Sequence, residues 1–342
     1  VSEPRRIAHR HDAGFLSVLN ELGVSLLVST YQAGKLAAIQ ARGDELLITY
    51  HNFERAMGIA LSAEQIALGT LNQVWFLASS PAPPGVTAFD RYCLARACHF
   101  TGEIHVHEMC WAGRELWVVN TLFSCLCTIS GGHNFVPRWK PAFVSGLAPE
   151  DRCHLNGLAL EQGRPRFVTC LGATDTPRGW KADSAHGGCL IDVSDGQFVL
   201  RGLSLPHSPR LHQGSLWFLE SGRGRLMVQD PRGGLREVAA LPGYVRGLSF
   251  HGHYAFVGLS KIRQTSNLEG LPIAADLDAL RCGVAVVELA TGRQAGFLEF
   301  TAGLEEIFDV QVNPYARRPL VSGPDARNDG TPPIWMIPPT RL

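Results

Sequence analysis

Histidines stand at 107, 154 and 207, at intervals of about fifty residues, a spacing typical of structural repeats. Imidazole carries protons near neutral pH and binds transition metals. Three that converge would hold zinc, iron or copper facially and leave positions open for water or substrate. Taken singly, each is better explained by a hydrogen bond to nearby backbone; their common place in the repeat is what raises the metal reading. Glu306, Asp309 and Glu108 are acids able to act beside such a centre as a further ligand or as general acid or base, although an isolated carboxylate more often sits in an ion pair. Arg210 and Arg246 fall in adjacent repeats, where their planar forks suit a substrate carboxylate or phosphate unless Glu220 or Asp309 engages them internally. Asn120, Asn156, Glu220, Arg263 and Asp175 complete the expected substrate-binding set.

The elements that would bring these residues together are strands. Apolar segments are short, rich in β-branched and aromatic residues, and punctuated by Gly, Pro, Asp and Asn. One phrase recurs at Gln65-Ile-Ala-Leu-Gly-Thr70, Glu115-Leu-Trp-Val-Val-Asn-Thr121, Arg166-Phe-Val-Thr-Cys-Leu-Gly172, Ser215-Leu-Trp-Phe-Leu-Glu-Ser221 and Tyr254-Ala-Phe-Val-Gly-Leu-Ser260, each preceded by another short strand and followed by more. A unit of four strands is the blade of a β-propeller. The expectation is an all-β, six-bladed propeller over 1–342 as a single domain, its last blade built from Ile307–Val312 and three N-terminal strands, with seven blades as the alternative. Such closure joins the two ends of the chain and removes exposed sheet edges. Residues 1–23 form an N-terminal segment with a short helix over Asp12–Leu22, and 313–342 a Pro-rich C-terminal segment. In a propeller the inner strands surround one axis, so residues that start them in different blades meet at one mouth. Loops 172–187 and 261–281 are too long for hairpins and are candidate lids over that mouth.

Composition narrows the partners. The 342 residues are 45% hydrophobic, enough for a large core, and carry 31 basic and 31 acidic side chains, so no net field recruits nucleic acid or an acidic membrane surface. No apolar run is long enough to span a bilayer and the first residues lack a signal-peptide pattern, which points to a cytoplasmic protein. Nine cysteines without a CxxC pair fit reduced thiols, with Cys125 and Cys127 as small buried hydrophobes. The nucleophile elbow, phosphate loop and HExxH motifs are missing, and no nucleotide cofactor is expected.

Several phrases, among them Val106-His-Glu-Met109, Asp151-Arg-Cys-His-Leu-Asn-Gly157, Pro206-His-Ser-Pro-Arg210 and Glu306-Ile-Phe-Asp-Val-Gln311, occur in an order that resembles a bacterial family of conserved hypothetical proteins, some fused to tetratricopeptide repeats. The resemblance runs from about Phe15 to Val312. It implies that His107, Asn120, His154, Asn156, His207, Arg210, Glu220, Arg246, Glu306 and Asp309 lie at the family's motif positions, and it supplies no reaction. The expected function is a metal-dependent enzyme, a hydrolase, lyase or oxidoreductase, acting on a small anionic or peptide-like substrate. The alternatives are a propeller that binds a protein or peptide on its rim, and a metal-free epimerase, cyclase or lyase using His and Glu as acid and base.

Overall fold

The computed structural model describes residues 6–83, 85–262, 270–330 and 333–337. Six sheets account for the described strands, one per blade, each built on four antiparallel strands as the repeat requires. From the inner to the outer strand, blade 1 comprises Ile59–Leu61, Gln65–Gly69, Gln73–Pro81 and Arg91–Phe100. Blade 2 comprises Val106–Ala112, Glu115–Asn120, Cys125–Ser130 and His133–Trp139, and blade 3 Leu155–Glu161, Arg164–Cys170, Gly188–Asp192 and Phe198–Leu203. Blade 4 comprises Pro206–His212, Ser215–Glu220, Arg225–Gln229 and Leu235–Ala240, and blade 5 Tyr244–His251, Tyr254–Ser260, Gly283–Glu288 and Gln294–Ala302. Blade 6 takes Asp309–Asn313 as its inner strand and Ser25–Thr30, Lys35–Arg42 and Glu45–Asn52 from the other end of the chain, so the ring has six blades and the seven-bladed alternative falls.

The chain ends contribute more than the sequence indicates. Ala8–His11 adds a fifth strand antiparallel to the outer strand of blade 5, and Pro319–Ser322, inside the segment read as merely Pro-rich, adds one parallel to the outer strand of blade 1. Both cover edges that would otherwise expose unpaired backbone. Between them lies the expected helix, Ala13–Leu22. Asp12 caps its start by accepting from the Phe15 amide, and Gly23 ends it at φ 64°. The helix docks on blade 5 closely because Gly296 has no side chain: a Cβ there would stand 2.4 Å from the Phe15 nitrogen.

Each gap between neighbouring blades is filled by its own apolar cluster, for example Val119, Leu126, Leu155 and Val168 between blades 2 and 3, and Leu219, Leu226, Val245 and Val257 between blades 4 and 5. At roughly 2 kcal/mol per fully buried aliphatic side chain, these clusters are the main force holding the ring together. Near the axis, polar groups join one inner strand to the next. Asp309 accepts from the Ile59 amide, Glu108 from Leu158, and Ser208 from Gly247, while Asn156 donates to the Pro206 carbonyl and Arg246 to that of Ile307. Gly247, at φ 80°, lets that contact close, since a Cβ would lie 2.5 Å from the Val310 nitrogen. No helix of the described residues is long and apolar enough to cross a membrane.

Candidate functional site

The mouth is shaped by strained turns. His105, His154 and Leu205, each immediately before the inner strand of its blade, have φ of 53°, 49° and 48°, and Asp151 has 50°. Left-handed geometry costs a non-glycine residue roughly 1 kcal/mol or more and tends to persist where surrounding structure enforces it, often at functional sites. His105 thus lies outside the strand that carries His107.

The three histidines converge, by two different routes. The facing pairs Val106 with Asn120, Leu155 with Cys170 and Pro206 with Glu220 put His107 and His207 at the same blade position, whose counterpart in blade 3 is Asn156. His154 stands two residues earlier and reaches the same space from the turn. The His107 ring lies 5.5 Å from that of His154 and 5.4 Å from that of His207, centre to centre. Around them are Trp180, 4.5 Å from His154; Tyr244, 5.8 Å from His207; and Phe308, 4.8 Å from His107.

Hydrogen bonds set two of the three tautomers. Nδ1 of His154 is 3.0 Å from each Asp151 carboxylate oxygen, and Nδ1 of His207 is 3.0 Å from the Leu205 carbonyl and 2.9 Å from Ser221 Oγ. A carboxylate or carbonyl only accepts, so both Nδ1 atoms carry the proton, and it is Nε2 that bears the lone pair whenever either ring is neutral. The Trp180 indole donates to the same Asp151 carboxylate at 3.1 Å. Among the described residues no hydrogen bond reaches the His107 ring. Burial, then the neighbouring His207, His154 and Arg246, holds His107 well below the usual imidazole range, and burial with Arg246 does the same for His207. Both rings are neutral at pH 7.

The described parts of the two long insertions meet over this mouth. Trp180 and Ala185 from 172–187, and Leu271, Ile273 and Ala274 from 261–281, pack with Leu171, Leu205 and Tyr244 in one apolar cluster. The Arg263 assigned to the site lies outside the described residues. Arg246 pairs with Glu306 at 2.5 Å and lies 4.0 Å from the Phe308 ring centre, so this guanidinium and carboxylate border the histidines as a pair. Asp175 turns away to the Ser145 amide and Arg152. Asn120 accepts from the Phe123 amide, and Glu220 from the Ser204 amide and from Arg223.

Arg210 does not join Arg246 at this mouth. It forms an ion pair with Glu108 deep in the channel and donates to the Leu248 and Pro209 carbonyls. Burial pushes Glu108 up to about 7 against the pull of Arg210, with Asp309 adding to the rise, and burial raises Asp309 as well. Arg210 borders a cavity of about 350 Å³ at the opposite end of the channel, walled by Leu61, Trp111, Leu160, Leu211 and Tyr315. Sequence reasoning assigned no role to Asp151, Trp180, Tyr244 or Ser221. The available signals were the acid three residues before His154 and the tryptophan inside an overlong loop.

Among the described residues no group of three or more His, Cys, Asp or Glu side chains is arranged to hold a metal ion. Two of the imidazoles come from matching strand positions and the third from a turn, which breaks the threefold presentation expected from the sequence.

Fold and site together define a six-bladed β-propeller with a roofed, histidine-rich axial mouth. The chain belongs to the DUF4915 family, a domain of unknown function, whose profile matches residues 13–321. No curated protein matches it. Among solved structures, one from a nidogen/laminin complex is similar at a TM-score of 0.53 with 10% identity, covering 85% of this chain and 98% of the other. The gluconolactonase XC5397 of Xanthomonas campestris is similar at 0.50 with 14% identity, covering 88% and 86%. Such likenesses speak to the propeller fold.

Proposed function

We propose that the histidine mouth is the active site of an acid–base enzyme, of epimerase, cyclase or lyase type, acting on a small anionic or peptide-like substrate. The observation that carries this reading is the His154–Asp151 pair. With Nδ1–H committed to the carboxylate, Nε2 of His154 is the free proton acceptor, and Asp151 stabilises the imidazolium formed when it takes a proton. His107, neutral and free of hydrogen bonds among the described residues, is available to donate to the negative charge that develops, and Arg246 adds positive potential at the border. The roof of Trp180, Leu271 and Ile273 would exclude water, which strengthens each of these interactions. The test is proton exchange in D2O, followed by NMR, on a panel of peptides and small carboxylates with an acidic C–H. Wild type should exchange or transform a member of the panel in the presence of a chelator, and His154→Ala should not. Equal activity in His154→Ala, or its disappearance on chelation, would overturn the reading.

A second reading, a metal held by His107, His154 and His207, is favoured by one feature: the Nδ1 bonds of His154 and His207 are the outer contacts that metal-ligating imidazoles make. Zinc, iron or copper suits imidazole nitrogens and would supply Lewis acidity. Metal analysis of protein purified without a histidine tag decides it, and less than about a tenth of an equivalent with no uptake on titration would remove it.

A further inference from the structure

A second concave site lies on the periphery, at the seam where blade 6 meets blade 1. The cleft, about 570 Å³, is lined by Arg42, Gly43, Ala88, Asp90, Arg317 and Arg318. Three distant parts of the chain line it, the hairpin turn after Arg42, the loop before the outer strand of blade 1 and the approach to the C-terminal strand, and Asn20 of the helix braces two of them. Asn20 donates to the Gly43 carbonyl and accepts from Arg317 Nη2 at 2.9 Å. Arg42 donates to the Ala88 carbonyl at 3.1 Å and lies 5.5 Å from the Phe89 ring centre. Two of the guanidinium groups are therefore held in place, which lowers the entropy lost when they bind a ligand.

The one acid in the cleft is engaged by backbone. The Asp90 carboxylate accepts from the Arg317 and Arg318 amides at 3.0 Å, which leaves the side-chain forks free of it. Among the described residues Arg318 makes no side-chain hydrogen bond or ion pair. Three arginines and one aspartate line the cleft, a local excess of positive charge on a chain whose formal net charge is zero. Guanidinium forks match tetrahedral oxyanions bidentately, and such an excess suits a dianion better than a single carboxylate.

We propose that this cleft binds a phosphate group, free or as a small monoester, independently of the histidine mouth. The test is isothermal titration calorimetry with inorganic phosphate and with glycerol phosphate at constant ionic strength. Saturable binding near one equivalent is expected, with acetate much weaker. Arg42→Ala and Arg318→Ala should each weaken it about tenfold, while Arg246→Ala at the mouth should leave it unchanged. The more conservative Arg318→Gln should match wild type in melting temperature without phosphate and still bind more weakly. Tighter binding of glycerol phosphate assigns the site to an ester, and tighter binding of inorganic phosphate assigns it to the free ion. No saturable binding, undiminished affinity in Arg318→Ala and Arg318→Gln, or loss of binding in Arg246→Ala would overturn the proposal.

Discussion

His154 Nδ1 lies 3.0 Å from both carboxylate oxygens of Asp151, three residues earlier in the chain, and both residues have left-handed backbones. The turn that strains them also brings imidazole and carboxylate together, so the orientation of the His154 ring is built into a local segment of blade 3 and reinforced by Trp180 from the roof.

Replacing that carboxylate should disturb the ring more than the fold. Asp151→Asn is expected to release the Nδ1–H tautomer of neutral His154, while His207, held by the Leu205 carbonyl, keeps its own. Long-range 15N spectra of histidine-labelled protein read both rings. Proton-transfer activity should fall by roughly a hundredfold to ten-thousandfold. An unchanged His154 tautomer would show that Asp151 does not orient it.

The neutral histidines predict an acid-sensitive fold. His107 and His207 are depressed in the folded state, so the stability they confer is present above the ordinary imidazole value near 6.5 and is lost as pH falls below it. Each contributes a slope of at most about 1.4 kcal/mol per pH unit. Glu108, raised to about 7, acts in the opposite sense, favouring the fold below its ordinary carboxylate value and losing that contribution as pH rises through about 7. Urea unfolding of wild type and His107→Gln between pH 5 and 6.5, a range set by the unperturbed imidazole value, separates the effects. The variant should lose up to about 1.4 kcal/mol less stability per pH unit on acidification, and parallel curves would mean that His107 is not held neutral.

Removing one partner of the channel ion pair should be severe. Arg210→Met leaves Glu108 buried without its counter-charge and is expected to cost about 3–5 kcal/mol at pH 8, less at pH 6 where Glu108 is more readily protonated. The double variant Arg210→Met with Glu108→Gln should recover most of that loss. If single and double variants are equally unstable, packing rather than charge dominates the site.

Thiol reactivity should follow burial. Burial pushes Cys93 up to about 11 and Cys110 and Cys125 up to about 12, whereas Cys98 is exposed. Iodoacetamide at neutral pH is expected to modify Cys98 in the native protein and the buried thiols only after unfolding, as mass spectrometry of digests would show. Rapid native labelling of Cys125 would contradict its place in the core between blades 1 and 2.

Much of the ring is legible in the residues themselves. Strand phrases spaced about fifty residues apart mark the blades, and apolar segments at both ends mark the closing blade. The convergence of His107 and His207 follows from that repeat, whereas His154 reaches the same space from the turn before its strand. Their individual roles were harder to read because the same strand positions also serve the ring: Asn156, Glu108 and Asp309 each join neighbouring inner strands, and sequence does not distinguish a side chain that meets ligand from one that satisfies backbone.

Local pattern alone determined the strands of the six blades, a short helix near Asp12–Leu22, and the polar character of the axial mouth, because period-two burial and turn chemistry depend on neighbours in the chain. Only the tertiary structure decided that His154 arrives from a turn rather than a strand, that Arg210 pairs with Glu108, and that two insertions form one roof. Those outcomes depend on backbone φ at single residues and on contacts between blades, where a shift of one residue turns a side chain from the axis into the core.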